Sequence, residues 1–260
     1  MNRIIIALLA VVFICVGCED ASVDAAVENA ITKSELVGVW VIKMTDGVEK
    51  ETNSYFACRY NADDTEDYLS RGETEDGSSL YTLKEGVSYV VKDGAIYLVS
   101  ESDDIHIEGT ISQGELLGES GDILSYREIK VVEGGYDLSN LSSYKGIRSE
   151  VDYSSDIIGL WQGVVSSDSE VAVPYDTIRC EYLRTGVFRF YTAGEGDEWI
   201  EDTSNNGLYY TMGNLLATEW TESDGTTSAE GWEIEIVGET MTWSATRSGG
   251  AQCGFDFVRL

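Results

Sequence analysis

The chain has 260 residues, 43% of them hydrophobic and 10% aromatic, with 47 acidic side chains against 17 basic ones and a formal net charge of −30. A charge of that size repels nucleic acid and anionic headgroups over about a Debye length, roughly 8 Å in physiological salt, which excludes a nucleic-acid-binding role. Glycine is frequent at 27 residues and proline occurs once, at Pro174; turn residues set among aromatic and aliphatic ones predict an all-β protein and exclude a disordered one.

The N-terminus reads as an export segment. Met1-Asn2-Arg3 supplies one positive charge, and Ile4 to Val16 form an unbroken apolar run of 13 residues. About 20 are needed to cross a bilayer, so the run suits the hydrophobic part of a signal peptide. It ends in Cys15-Val16-Gly17-Cys18, followed at once by Glu19 and Asp20. This junction resembles the lipobox of bacterial lipoproteins, departing from it at Cys15, where leucine is usual. The resemblance implies removal of residues 1–17 and lipidation of Cys18, as a thioether diacylglycerol usually joined by an N-acyl chain. At about 0.8 kcal/mol per buried methylene, two or three chains anchor a protein stably where one does not. Residues 18–33 are Ala-rich and acidic and read as a tether of roughly 20 Å. The expected location is the bacterial cell envelope, at the outer membrane or a periplasmic face, with the membrane as partner through the anchor.

Beyond the tether one seven-residue phrase occurs twice. Ser34-Glu35-Leu36-Val37-Gly38-Val39-Trp40 and Ser155-Asp156-Ile157-Ile158-Gly159-Leu160-Trp161 share the order Ser, acid, aliphatic, aliphatic, Gly, aliphatic, Trp, with the tryptophans 121 positions apart. That spacing is the length of a small domain. Two domains are expected, at 34–133 and 155–260, joined by a polar linker over 134–154.

In chain order, Val37 to Thr45 and Ser54 to Tyr60 read as strands, and Phe56, Cys58 and Tyr60 alternate with Tyr55, Ala57 and Arg59. The counterpart is Thr177 to Tyr182, where Ile178, Cys180 and Tyr182 fall on one face. Ser88 to Tyr97 predicts a hairpin turning at Asp93-Gly94, and Leu208 to Leu216 repeats it around Gly213-Asn214. Ile105 to Glu108 and Trp232 to Ile236 alternate strictly. A turn and strand follow each, at Glu115 to Glu119 and at Thr240 to Thr246, and each repeat closes with an apolar strand, Ile123 to Lys130 and Gly254 to Leu260. Eight or nine short strands per repeat with hairpin links predict an up-and-down antiparallel meander closed into a barrel.

The Gly-x-Trp opening each repeat is similar to the first motif of lipocalins and bacterial lipocalin-like domains. The resemblance implies that Trp40 and Trp161 plug the closed ends of two tandem barrels and that a basic residue of the last strand covers each indole, Arg127 for Trp40 and Arg259 for Trp161. A guanidinium over an indole adds about 0.5–2 kcal/mol. One position of misregister separates these two arginines when the last strands are aligned, and one position flips a strand's face.

Candidate chemistry is sparse. Cys58, Cys180 and Cys253 form an odd set for an oxidising compartment; Cys180 and Cys253 form a bridge, or all three are small core residues, or a Cys58–Cys180 link joins equivalent core faces of the two domains. His106, the only histidine, alternates with Ile105 and Ile107 and is expected to face solvent. With no nucleophile beside a base and no His/Cys cluster, neither an enzyme nor a zinc site has a basis, and no cofactor is implied. The acidic runs 63–67, 101–104 and 195–198 lack Ca²⁺-loop spacing and read as solvated loops. Trp220, Trp232, Trp243, Phe188 and Phe190 either line a lumen or fill it. Two non-catalytic functions follow: an anchored lipoprotein binding a small apolar ligand in one or both barrels, or an envelope component with filled barrels acting on a protein partner through its surface.

Overall fold

The computed structural model describes residues 31–99, 104–133, 135–139, 141–172, 175–194 and 198–260. The export segment, Cys18 and the tether up to residue 30 lie outside the described residues. The chain enters through one helical turn, α1 (Lys33–Leu36), held by a capping box between Thr32 and Glu35. The strands of the first half follow: β1 (Gly38–Thr45), β2 (Val48–Glu49), β3 (Phe56–Tyr60), β4 (Thr65–Glu73), β5 (Ser79–Lys92), β6 (Ala95–Val99), β7 (Asp104–Leu116), β8 (Glu119–Val132), β9 (Gly135–Asp137) and β10 (Ser143–Ser149). Every pairing is antiparallel, and β10 bonds both β8 and β1, closing β1, β3 to β8 and β10 into an eight-stranded barrel.

The second half has β11 (Gly159–Val165), β12 (Thr177–Tyr182), β13 (Val187–Ala193), β14 (Trp199–Glu201), β15 (Gly207–Met212), β16 (Leu215–Thr221), β17 (Thr227–Val237), β18 (Thr240–Thr246) and β19 (Gln252–Arg259). Here β11 bonds β12 on one side and β19 on the other, giving a second closed eight-stranded meander with β14 as an appendage. The fold is therefore all-β, two antiparallel up-and-down barrels in tandem, as the alternation predicts.

Three expectations are corrected. The stretch 134–154 is not a linker: it contains β9 and β10, and β10 is the strand without which the first barrel stays open. Glu115 to Glu119 is no separate strand but the hairpin between β7 and β8, turning at Leu117 (φ 52°) and Gly118 (φ 85°). The strand equivalent to β19 is accordingly β10 rather than Ile123 to Lys130, which resolves the misregistered arginines. Arg127 points outward to an exposed pair with Glu108 at 2.8 Å, and Arg148 of β10 covers Trp40.

The two closures are nearly superimposable in chemistry. Trp40 stands opposite Arg148 and Trp161 opposite Arg259 on adjacent strands, with guanidinium-to-ring distances of 4.3 and 4.2 Å. Each indole is fully buried and donates to a carbonyl four residues back, Trp40 to Leu36 at 2.8 Å and Trp161 to Ile157 at 2.7 Å. Each guanidinium also donates to the carbonyls of the turn before the strand: Arg148 to Val37 at 2.7 Å and to Glu35, Arg259 to Ile158 at 2.8 Å and Asp156 at 2.5 Å. Gly38 (φ 139°) and Gly159 (φ 133°) lie beneath these guanidinium groups, and a Cβ at Gly38 would sit 2.5 Å from Arg148 Nη1.

The barrels pack side by side through their outer faces. Val39, Val41, Ala57 and Leu69 of the first meet Met212, Leu215, Ala217 and Ala229 of the second in one dry cluster. Lys43, 1% exposed, is paired across the seam with Glu233 and within its own barrel with Glu119. Backbone donors of one half find partners in the other: Tyr81 N–H on Glu219 at 2.9 Å, Thr246 N–H on Thr52 Oγ1 at 2.8 Å and Thr227 N–H on Ser78 Oγ at 3.0 Å.

The clamp predicts a contrast between two arginines of the first barrel. Arg148→Ala leaves a buried indole uncovered and two carbonyls unpaired and should cost about 2–3 kcal/mol. Arg127→Ala removes an exposed ion pair and should cost less than about 0.5 kcal/mol. Urea unfolding followed by tryptophan fluorescence measures both, and equal losses would refute the assignment.

Candidate functional site

The two lumens differ although their closures match. In the first, inward residues of β3, β4 and β8 bring Cys58, Tyr60, Glu66, Tyr126 and Glu128 together. Glu66 and Tyr68, two apart on β4, stand opposite Tyr60 and Cys58 of β3 and share their inward face. Rings cross this lumen edge to face: Tyr60 against Tyr89 at 5.3 Å and Phe56 against Tyr144 at 5.7 Å. Glu66 is 3% exposed, and burial pushes its carboxyl up to about 7, against the smaller opposing effect of hydrogen bonds from Cys58 and Tyr60. Burial also raises Glu128.

The second lumen contains a cavity of about 440 Å³. Its walls come from alternate residues of six strands, so all five aromatics singled out from sequence converge there: Phe188 and Phe190 from β13, Trp220 from β16, Trp232 from β17 and Trp243 from β18. Trp232 and Trp243 lie 5.1 Å apart, and Phe255 of β19 meets each at 5.9 Å. Below them Tyr182, Phe257 and Met241 pack down to the Trp161 stopper. The polar residues on the wall are few: Asn205, Thr218, Glu230, Arg247 and, from the first barrel, Asn53.

Asn53 and Arg247 had no signal in the sequence. Asn53 lies in the 3₁₀ turn Thr52–Ser54 between β2 and β3, and its Oδ1 accepts from Gly231 N–H and from Arg247 Nη1, each at 2.8 Å. The turn fits because Gly231 has no side chain: a Cβ there would lie 2.5 Å from Tyr81 Oη and 2.7 Å from the Thr52 carbonyl. Arg247, just beyond β18, stacks 4.3 Å from the Trp232 ring. Burial raises the Glu230 carboxyl, opposed by Arg247 and Arg71.

Cys180 and Cys253 also line the cavity, as separate thiols. The bridge between them is not formed, and the sheet gives the reason. Cys180 is on β12 and Cys253 on β19, with β11 between, so the strands are about 10 Å apart, beyond the roughly 7 Å a disulfide spans. Burial pushes both thiols up, and Cys58 as well. His106 points away from the first lumen as its parity requires, yet it is not solvated. It is 5% exposed, stacked on Tyr97 at 4.6 Å and flanked by Tyr136 of β9 at 5.0 Å. Among the described residues, no three His, Cys, Asp or Glu side chains converge as a metal ion would require.

A scan against protein-family models finds no match, and neither curated proteins nor solved structures include a significant one.

Glu66 makes the stability of the first barrel depend on pH. Its carboxyl titrates near 7 when folded against an ordinary value of 4.5, so the folded state holds the extra proton between those limits. The protein gains stability as pH falls through that window and loses it as pH rises, by about 3 kcal/mol for this group. Glu66→Gln should flatten the slope of unfolding free energy between pH 5 and about 7.5 and raise stability at pH 8. An unchanged slope would place the proton elsewhere.

Proposed function

We propose that this chain is a non-catalytic binding protein that takes a small, largely apolar molecule into the lumen of its second barrel. The observation that carries the reading is the cavity of about 440 Å³ walled by indole and phenyl rings. Ligand sites occupy roughly 300–1,000 Å³, are mostly apolar, and carry a few placed polar groups. The same feature favours binding over a purely surface role with filled barrels. The first barrel, whose lumen is crossed by tyrosines around buried carboxylates, serves as the partner against which the second is built.

We propose further that the protein works at a bacterial envelope membrane, held by acyl chains on Cys18. The support is the sequence itself, one positive charge, a 13-residue apolar run and Gly17-Cys18 followed by acidic residues.

Native mass spectrometry of protein purified from its own cells tests the binding reading. One reproducible small-molecule adduct is expected, lost on Cys180→Phe, which pushes a ring into the cavity while the far-ultraviolet spectrum is retained. Repeated absence of any adduct counts against it. Labelling with a palmitate analogue tests the anchor: wild type should be marked and Cys18→Ala should not, whereas an unlabelled, fully soluble wild type would overturn that part.

A further inference from the structure

The mouth of the second barrel has a charge that its own neighbours do not satisfy. The Arg247 side chain is 14% exposed and spends Nη1 on two neutral acceptors, Asn53 Oδ1 at 2.8 Å and the Gly231 carbonyl at 3.0 Å. Nη2 is buried with no hydrogen-bond partner, and the carboxylate beside it, Glu230 Oε2, stands 3.9 Å away. Across the seam Arg71 of β4 gives Nη2 to Ser79 Oγ at 2.8 Å while its Nε, also buried, is unpaired. The Trp243 side chain lines the same cavity, is 7% exposed, and its Nε1 has no acceptor.

Two of these unpaired buried donors, Arg247 Nη2 and Trp243 Nε1, thus belong to residues that line the ring-walled cavity, and the third stands on Arg71 across the seam. A buried donor without a partner costs about 1–3 kcal/mol, and more when it is charged. Water can accept from an N–H, but it does not neutralise a guanidinium. Glu230 does not satisfy Arg247 Nη2, because its Oε2 lies beyond hydrogen-bond reach. The molecule carries −30 overall, so an anion is repelled from most of its surface. A guanidinium on the cavity wall whose Nη2 has no hydrogen-bond partner is where such a chain accepts one.

We infer that the cavity is a composite site for a ring-bearing molecule with a single acidic group, its rings against Trp232, Trp243 and Phe190 and its acid on Arg247 Nη2. Asn53, contributed by the first barrel, is a positioning residue: it holds Nη1 so that Nη2 turns to the lumen, and without that barrel the site lacks one wall. The inference rests on the binding reading above and adds the ligand's chemical class and the role of the neighbouring barrel.

Two fluorescent probes with one ring skeleton separate the two readings: 8-anilinonaphthalene-1-sulfonate, which has the acid, and N-phenyl-1-naphthylamine, which lacks it. Energy transfer from tryptophan to bound probe is titrated on the full chain in physiological salt. The wild type should bind the sulfonate about tenfold more tightly than the amine, the scale of one good charge-assisted contact. Arg247→Met and Asn53→Leu should each bring that ratio below about threefold, and Arg247→Lys should fall between, since it keeps the charge and loses the fork. Unfolding midpoints verify that each variant is folded, and the ratio between probes is insensitive to a general loosening that weakens both. If both probes bind the wild type equally, or the ratio survives both Arg247→Met and Asn53→Leu, the acidic-ligand assignment falls and the apolar-ligand reading stands. If Asn53→Leu alone leaves the ratio unchanged, Asn53 has no positioning role. If neither probe binds, both readings fall.

Discussion

Barrel closure is the constraint from which the rest of this structure follows. A meander of eight strands leaves two edges unless its first and last strands meet, and those strands are the most distant in sequence. In both halves the meeting is secured at one point, where a guanidinium on the last strand lies on the indole of the first and donates to the turn that leads into it. The clamp joins three segments at once: the entry turn, the opening strand and the closing strand. Gly38 and Gly159 are needed there because the arginine lies directly over the backbone.

The same clamp closes two lumens of different content. Around Trp161 the inward positions of β16 to β19 carry large rings that meet at angles, and rings packed edge to face leave space between them. Above Trp40 the inward positions include Glu66 and Glu128 among tyrosines, so burial acts on carboxyl groups in one barrel and encloses an apolar cavity in the other.

The seam makes the two barrels one functional unit. A strand in an isolated barrel keeps one face in solvent, but β1 is buried at five consecutive positions, Val39 to Lys43. Trp40 and Ile42 face the lumen while Val39 and Val41 face the second barrel, the two-sided burial that gives a continuous apolar run. Because the seam brings the 3₁₀ turn of the first barrel onto β17, a residue outside the second barrel becomes part of its cavity wall.

By itself the sequence determined the class and count of the domains, since alternation with period two and the doubled Gly-x-Trp phrase are local signals. It also singled out the aromatic residues that reach the second lumen, and the resemblance carried by the Gly-x-Trp phrase implied the Arg259 partner of Trp161. What it left undecided depends on pairings between distant segments. The strand β10 was hidden because Ser143 to Ser149 looks polar: Tyr144 and Ile147 are its only large apolar side chains, and its identity comes from bonding β8 and β1 at once. Arg127 and Arg148 could not be told apart until that strand was placed. His106 was assigned the correct face but not its burial, since Tyr136 covers it from a flap on another strand. Only the tertiary structure could bring Asn53 to Arg247, 194 positions away, because that contact is set by how two finished barrels pack.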